Sequence, residues 1–225
     1  MSKPKNKINW RLHFIELLVV IIGISIAFTL EGWSSDRKQK TLQTNYLNSL
    51  KADLEKDKED LQTIIDSTNV ILKNVGEVFQ FIYSKSPVDA YKRHHITSSY
   101  LATYFYPQNG TYVSLINSGD INVIEDFDLK ASLSDLYNVQ YREVGRIDNV
   151  IRNLVDNMLQ PFVINEIKFS MTRDGIDDDT PLKQNKTTNM LGSFFNLLSA
   201  RQRTYEQMIA VCDELIAGID ESLGS

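Results

Sequence analysis

The chain has 225 residues, 42% of them hydrophobic and 24% charged, with ten Gly, five Pro and a net charge of −5. That composition excludes a wholly disordered or collagen-like chain and gives no electrostatic reason to expect nucleic acid as a partner. The single cysteine, Cys212, excludes an intrachain disulfide and a cysteine-based zinc site.

Charge is unevenly placed. Residues 1–13 carry Lys3, Lys5, Lys7 and Arg11 without an acid. Residues 14–33 hold only Glu16 and Glu31, and the remainder is acidic. A basic head, an apolar stretch and an acidic body is the plan of a membrane-anchored protein. The uncharged run Leu17 to Leu30 is short of the ~20 residues needed to cross ~30 Å of hydrocarbon. Trp10 and Trp33 lengthen it, because they suit the two interfaces and bracket a helix of roughly 35 Å. Arg11 and Arg37 beside them complete the interfacial anchors. A cleaved signal peptide is the rival reading, and Glu16 at the head of the apolar run speaks against it. The basic head favours a cytoplasmic N-terminus and an exported body.

On a helix, Glu16, Gly23, Ala27, Glu31 and Ser34 fall within roughly 60° of one another. Gly23 and Ala27 form a small-xxx-small pair that lets two helices approach closely. This face is the candidate surface for self-association or for docking on a partner span. Glu16 is also a candidate proton carrier, and a lipid-facing helix with a snorkelling Glu16 is the third alternative.

The body reads as helix. Residues 36–84 lack Pro and repeat apolar residues in steps of three, four and seven: Leu47, Leu50, Leu54, Leu61, Ile64, Ile71, Val75, Val78, Ile82. A short helix is expected near 97–106 and another over 111–118. Between them lies the turn Pro107-Gln108-Asn109-Gly110. Gly119 should stop the second short helix with a positive φ, and Ser118 and Asn122 belong to that turn. Asp126 or Asp128 can cap a long helix over 127–159, which Pro161 ends or bends. Residues 162–169 suit a helical extension better than a lone strand. Residues 170–188 read as loop, and 189–222 as the last long helix. The expected fold is all-α: a basic head 1–13, a transmembrane helix 14–34, and a body 35–225 in which a stalk helix joins an antiparallel bundle.

The segments ELLVVIIGISIAFTLEGW, YLNSLKADLEKDKEDL and TYVSLINSGDINVIEDFDLKASLSDLY together resemble an uncharacterised family of single-span bacterial membrane proteins. The resemblance covers roughly residues 14–160 and makes Glu16, Gly23, Trp33, Ser118, Gly119, Asn122 and Ile124 family-typical positions. Leu30-Glu31-Gly32 departs from the Asn-rich run expected before the Trp. The resemblance implies an anchored helical domain outside the cytoplasm, and with the basic head inside, the expected location is a bacterial inner membrane with the body in the periplasm of a diderm source. It implies no activity.

Candidate chemistry is sparse. His94 and His95 are neighbours whose side chains diverge by about 100° on a helix, a poor geometry for one metal ion. The run Asp174 to Asp179 lacks the order of an EF-hand loop and reads as an acidic surface loop. Cys212 sits on the apolar stripe of the last helix. Tyr100, Tyr104, Phe105, Tyr106 and Tyr112 either form a partner or ligand surface or wedge short helices onto the bundle. No G-x-S-x-G, Walker A, H-E-x-x-H or dinucleotide fingerprint occurs, so neither an enzyme nor a cofactor is expected. The expected partners are a lipid bilayer and further copies of the chain or a larger membrane complex. The expected role is a scaffold or accessory subunit. The alternatives are a sensor with a ligand among those aromatics, or an ion-coupled motor or channel subunit using Glu16.

Overall fold

The computed structural model describes residues 10–224, with the side chains of 11–13 left out. The basic head and the side chains of Arg11 and His13 therefore lie outside the described residues. Helix α1 covers Trp10–Tyr83, and the chain divides into two compact units, Met1–Tyr46 and Leu47–Ser225. In the first unit every side chain from Phe14 to Trp33 is exposed. In the second, burial begins at Leu47 itself.

The second unit is a helical bundle. From Leu47 the buried positions of α1 step by three and four through Leu50, Leu54, Asp57, Leu61, Ile64, Thr68, Ile71, Val75 and Val78. That spacing keeps one face of a helix against its neighbours. Each fully buried leucine contributes about 1.5–3 kcal/mol to folding. Helix α1 ends in a turn where Lys85 takes φ 52° and the Ser86 N–H bonds the Phe81 carbonyl, 2.9 Å, a left-handed helix stop. Short elements follow: α2 (Arg93–Thr97), a 3₁₀ turn (Ser98–Tyr100) and α3 (Gly110–Asn117). The expected helix over 97–106 is not there. Residues 101–109 are an irregular strap without helix. Pro107 disfavours helical backbone at Tyr106.

The middle of the bundle is one helical run of three segments, α4 (Phe127–Asp135), α5 (Tyr141–Leu154) and α6 (Gln160–Glu166). Asp126 caps its start, its carboxylate accepting the Asp128 and Leu129 N–H groups at 2.9 and 3.0 Å. The segments are joined by π-helical turns at Leu136–Gln140 and Val155–Leu159. The buried residues explain both turns. Leu136 and Tyr141 are both buried but five residues apart, a step that would leave Tyr141 about 140° off the face in a regular helix. From Ile151 to Ile167 the buried steps are all of four, which drift about 40° each. A wider turn brings the stripe back. The second π turn also lets the helix pass Pro161, whose ring would crowd the carbonyl four residues earlier.

The helix continues to Glu166 and then stops, so the extension expected over 162–169 holds for 162–166 only and Ile167 turns to extended backbone. Phe169 and Ile176 form an isolated antiparallel bridge, with Ser170 N–H bonding the Gly175 carbonyl and Asp177 N–H the Lys168 carbonyl at 3.0 and 2.8 Å. Helix α7 (Asn185–Gly224) closes the bundle. Lys51 pairs with Asp220, Lys58 with Asp213, and Thr68 with Arg201, so α7 runs antiparallel to α1. Tyr141 meets Cys212 and Asp148 meets Tyr205, so α7 is antiparallel to α5 as well. The first and middle helices therefore run in the same direction. Residues 84–126 are the crossover that parallel neighbours require.

Candidate functional site

The strap 101–109 crosses the face of the bundle and is held by charged groups standing where the stripes call for apolar ones. Asp57 of α1, Asp148 of α5 and Arg201 of α7 are all buried. Asp148 accepts the Phe105 N–H at 2.9 Å and the Tyr205 hydroxyl at 2.7 Å. Asp57 accepts the Gln108 N–H at 2.8 Å and the Tyr141 hydroxyl at 2.5 Å. Arg201 donates to the Thr103 carbonyl at 2.7 Å and to the Thr68 hydroxyl at 2.6 Å, and lies 3.6 Å from Asp148. Two carboxylates thus each take one strap amide and one tyrosine hydroxyl, while the guanidinium takes a strap carbonyl. An irregular segment has no ladder of its own, and these three side chains take up the Phe105 and Gln108 N–H groups and the Thr103 carbonyl.

Burial dominates the electrostatics. It pushes the Asp57 carboxyl up to about 6, helped by Asp53 and Asp60 and opposed by the Tyr141 and Gln108 hydrogen bonds. Burial also raises Tyr141 and Tyr205 and pushes the Cys212 thiol up to about 11. Cys212 lies 3.8 Å from the Tyr141 hydroxyl and is buried, so it is a packing residue and not an exposed nucleophile.

The aromatic run divides. The Phe105 ring sits 5.6 Å from Tyr141 and 6.1 Å from Tyr205, inside the core. Tyr112 is buried and stacks on Tyr137 at 4.3 Å. Neither offers a partner surface, because both rings are buried. Tyr106 is exposed, and Tyr100 and Tyr104 are half-buried. Arg152 lies over Tyr104 at 4.3 Å and donates to the Tyr106 hydroxyl at 2.8 Å. The turn after α3 follows expectation at Gly119, with φ 80°. The Asp120 N–H bonds the Ser118 hydroxyl at 3.3 Å, and Asn122 is exposed.

Two clusters offer donors for a metal. Glu77, His94 and His95 bring ligand atoms within 4.8 Å of one another, closer than their neighbouring positions suggested. The buried His95 does not suit an ion. Its Nδ1 accepts the Lys92 N–H at 3.1 Å, so its proton sits on Nε2, which donates to Glu77 at 2.8 Å. A metal on Nε2 would move that proton to Nδ1, against a second donor. The pair is a structural clamp on α2, and burial, then His94, holds His95 below the usual histidine range. In the loop, Asp174 accepts the Arg93 N–H, Asp177 pairs with Lys168, Asp178 takes both Thr180 donors and Asp179 pairs with Lys183. Each of these carboxylates already has a protein partner.

In the first unit Glu16, Gly23, Ala27, Glu31 and Ser34 all lie on α1 and are exposed. Trp10 and Trp33 are exposed near the two ends of the apolar stretch, and the Arg37 guanidinium lies 5.9 Å from the Trp33 ring centroid.

Fold and site together define an all-α protein with a helical bundle and, among the described residues, one helix long and apolar enough to cross a membrane. The chain belongs to DUF6090, a family of unknown function, whose model matches residues 16–173. The match takes in the apolar helix, the strap and the bridge-forming residue Phe169, and stops before α7. No curated protein and no solved structure shows significant similarity to the chain.

Proposed function

We propose that this protein is a non-enzymatic, membrane-anchored scaffold or accessory subunit of a bacterial envelope complex, self-associating through α1. Its head would lie in the cytoplasm and its body in the periplasm. The observation that carries the reading is the apolar face of residues 14–33, exposed all round on a helix. Such a surface is far too apolar to be left in water, and a bilayer with neighbouring spans is the environment that satisfies it. Gly23 and Ala27 leave room for the close helix approach that drives association in lipid. The body supports the reading independently. Its buried acids, its arginine and its tyrosines are committed to holding the strap, which suits a rigid module better than a catalyst.

Light scattering on the full chain in detergent tests this. A defined oligomer is expected, and Gly23→Leu should reduce it to smaller species. A monodisperse monomer that Gly23→Leu leaves unchanged refutes self-association. Partition of the full chain into the aqueous phase without detergent refutes the anchor.

A further inference from the structure

We propose that Trp33, Arg37 and Lys40 form a site for the phosphate headgroup of an anionic lipid, in the leaflet on the body side of the span. This rests on the reading of residues 14–33 as membrane-spanning and names the lipid that the anchor selects.

The three residues stand at spacings of four and three on α1. At 100° per residue they fall within about 60° of one another, a single narrow stripe. All three are exposed, and they line one shallow recess together with Asp36, Thr41, Thr44 and Asn45. The stripe continues the apolar helix without a break. Arg37 lies about 6 Å along the axis beyond Trp33 and Lys40 about 10 Å beyond it. The headgroup layer on each side of the hydrocarbon is roughly 5–8 Å thick. Arg37 therefore reaches phosphate depth when Trp33 sits at the hydrocarbon edge, and Lys40 stays within about one Debye length.

Charge gives the lipid class. Residues 34–46 contain Arg37, Lys38 and Lys40 against the single acid Asp36. Lys38 points about 140° away from Trp33, which leaves Arg37 and Lys40 as the cations of the stripe. The Arg37 guanidinium lies 5.9 Å from the Trp33 ring centroid, which ties the arginine to the interfacial aromatic. A guanidinium so placed matches phosphate oxygens with a forked donor set, and an ammonium one turn further adds a point charge. A zwitterionic headgroup offers the same phosphate but brings its own cation, so an anionic lipid is preferred.

Trp33 is the reporter once Trp10 is changed to Phe, since the chain has only these two tryptophans. The full chain carrying Trp10→Phe is placed in nanodiscs of phosphatidylcholine. A minor fraction of the lipid is brominated phosphatidylglycerol in one set and brominated phosphatidylcholine in the other. Preferential quenching by the glycerol lipid is expected, at about fivefold enrichment for each cation, and it should vanish in Arg37→Gln/Lys40→Gln. Equal quenching by both lipids overturns the headgroup site and leaves the anchor standing. Quenching by neither lipid overturns the anchor itself. Inorganic phosphate separates the two sources of the anion. If it abolishes the preference where sodium chloride of equal ionic strength does not, the site is a general phosphate site and the lipid assignment is wrong.

Discussion

Asp57→Asn should change how stability depends on pH more than it changes stability itself. Asp57 is fully buried and its carboxyl titrates near 6 in the fold, against 3.8 for a free aspartate. For a carboxyl raised in this way, the folded state takes the proton first. Acidification from about 6 to 4 therefore stabilises the fold through this group, and charging it at neutral pH destabilises the fold. Two pH units correspond to at most about 3 kcal/mol, or roughly 6–12 °C in a chain of this size. The amide introduced by Asp57→Asn cannot titrate. Its oxygen can still accept the Gln108 N–H, and its NH₂ can donate to the Tyr141 oxygen. The assay is thermal unfolding of the full chain in detergent, wild type beside Asp57→Asn, at pH 7 and pH 4.5. Between those values the wild type should gain on the variant by several degrees. The comparison must be between proteins and not along one profile, because His95 works in the opposite direction. A difference independent of pH, or one that moves the other way, refutes the assignment of Asp57 as a buried, burdened carboxylate.

His95 is held below its free value, so its contribution is present above about 6.5 and is lost as pH falls below it; His95→Gln should flatten unfolding midpoints between pH 6.5 and 5. Arg201→Met leaves Asp148 buried without its cation and should cost about 3–5 kcal/mol, measured by thermal unfolding, whereas Asp148→Asn with Arg201→Met together should cost less than the single arginine change. Gly175 packs so closely that an added Cβ would lie 2.6 Å from the Tyr91 carbonyl oxygen; Gly175→Ala should cost about 1–3 kcal/mol and hasten proteolysis of the 168–184 loop. Cys212 should resist maleimide until the bundle unfolds, and labelling of the native protein at pH 8 would contradict its place in the core.

The helices were legible because their stripes are regular. Leu47 to Val78 and Leu191 to Ile219 announce buried faces, and Asp126 and Gly119 mark a start and a stop. The site was less legible because it hides inside those same stripes. Reading only apolar residues skips Asp57 and Thr68 in α1 and Arg201 in α7, yet each falls on the three-and-four spacing of its helix. A charged residue standing in register with a leucine stripe was the available signal. Its partners were not available, since Asp57 and Tyr141 lie 84 positions apart. The strap was misread for a related reason. Pro107 was the one local signal against a helix there, and the groups that hold the strap, Asp57, Asp148 and Arg201, lie far away in sequence. The Glu77–His95 contact likewise joins two helices that nothing local connects.

The two π turns have a consequence for how this fold tolerates change in length. A regular helix in a packed bundle has a single phase, and losing one residue from it turns everything downstream by about 100°. In a π turn one residue more than the α-helical pattern needs is already absorbed. The span from Leu136 to Gln140 and that from Val155 to Leu159 are therefore the places where the middle helix can be shortened by one residue and stay helical. The result is alike in kind at both. A deletion in the first returns Leu136 and Tyr141 to a step of four and keeps Asp148 in phase with the strap amide it accepts. A deletion in the second leaves Asp57, Asp148 and Arg201 where they are and changes only the approach to Pro161. Loss of one residue within 136–140 or within 155–159 is therefore expected to keep the strap, whereas loss of one elsewhere in the middle helix turns its downstream face by about 100°.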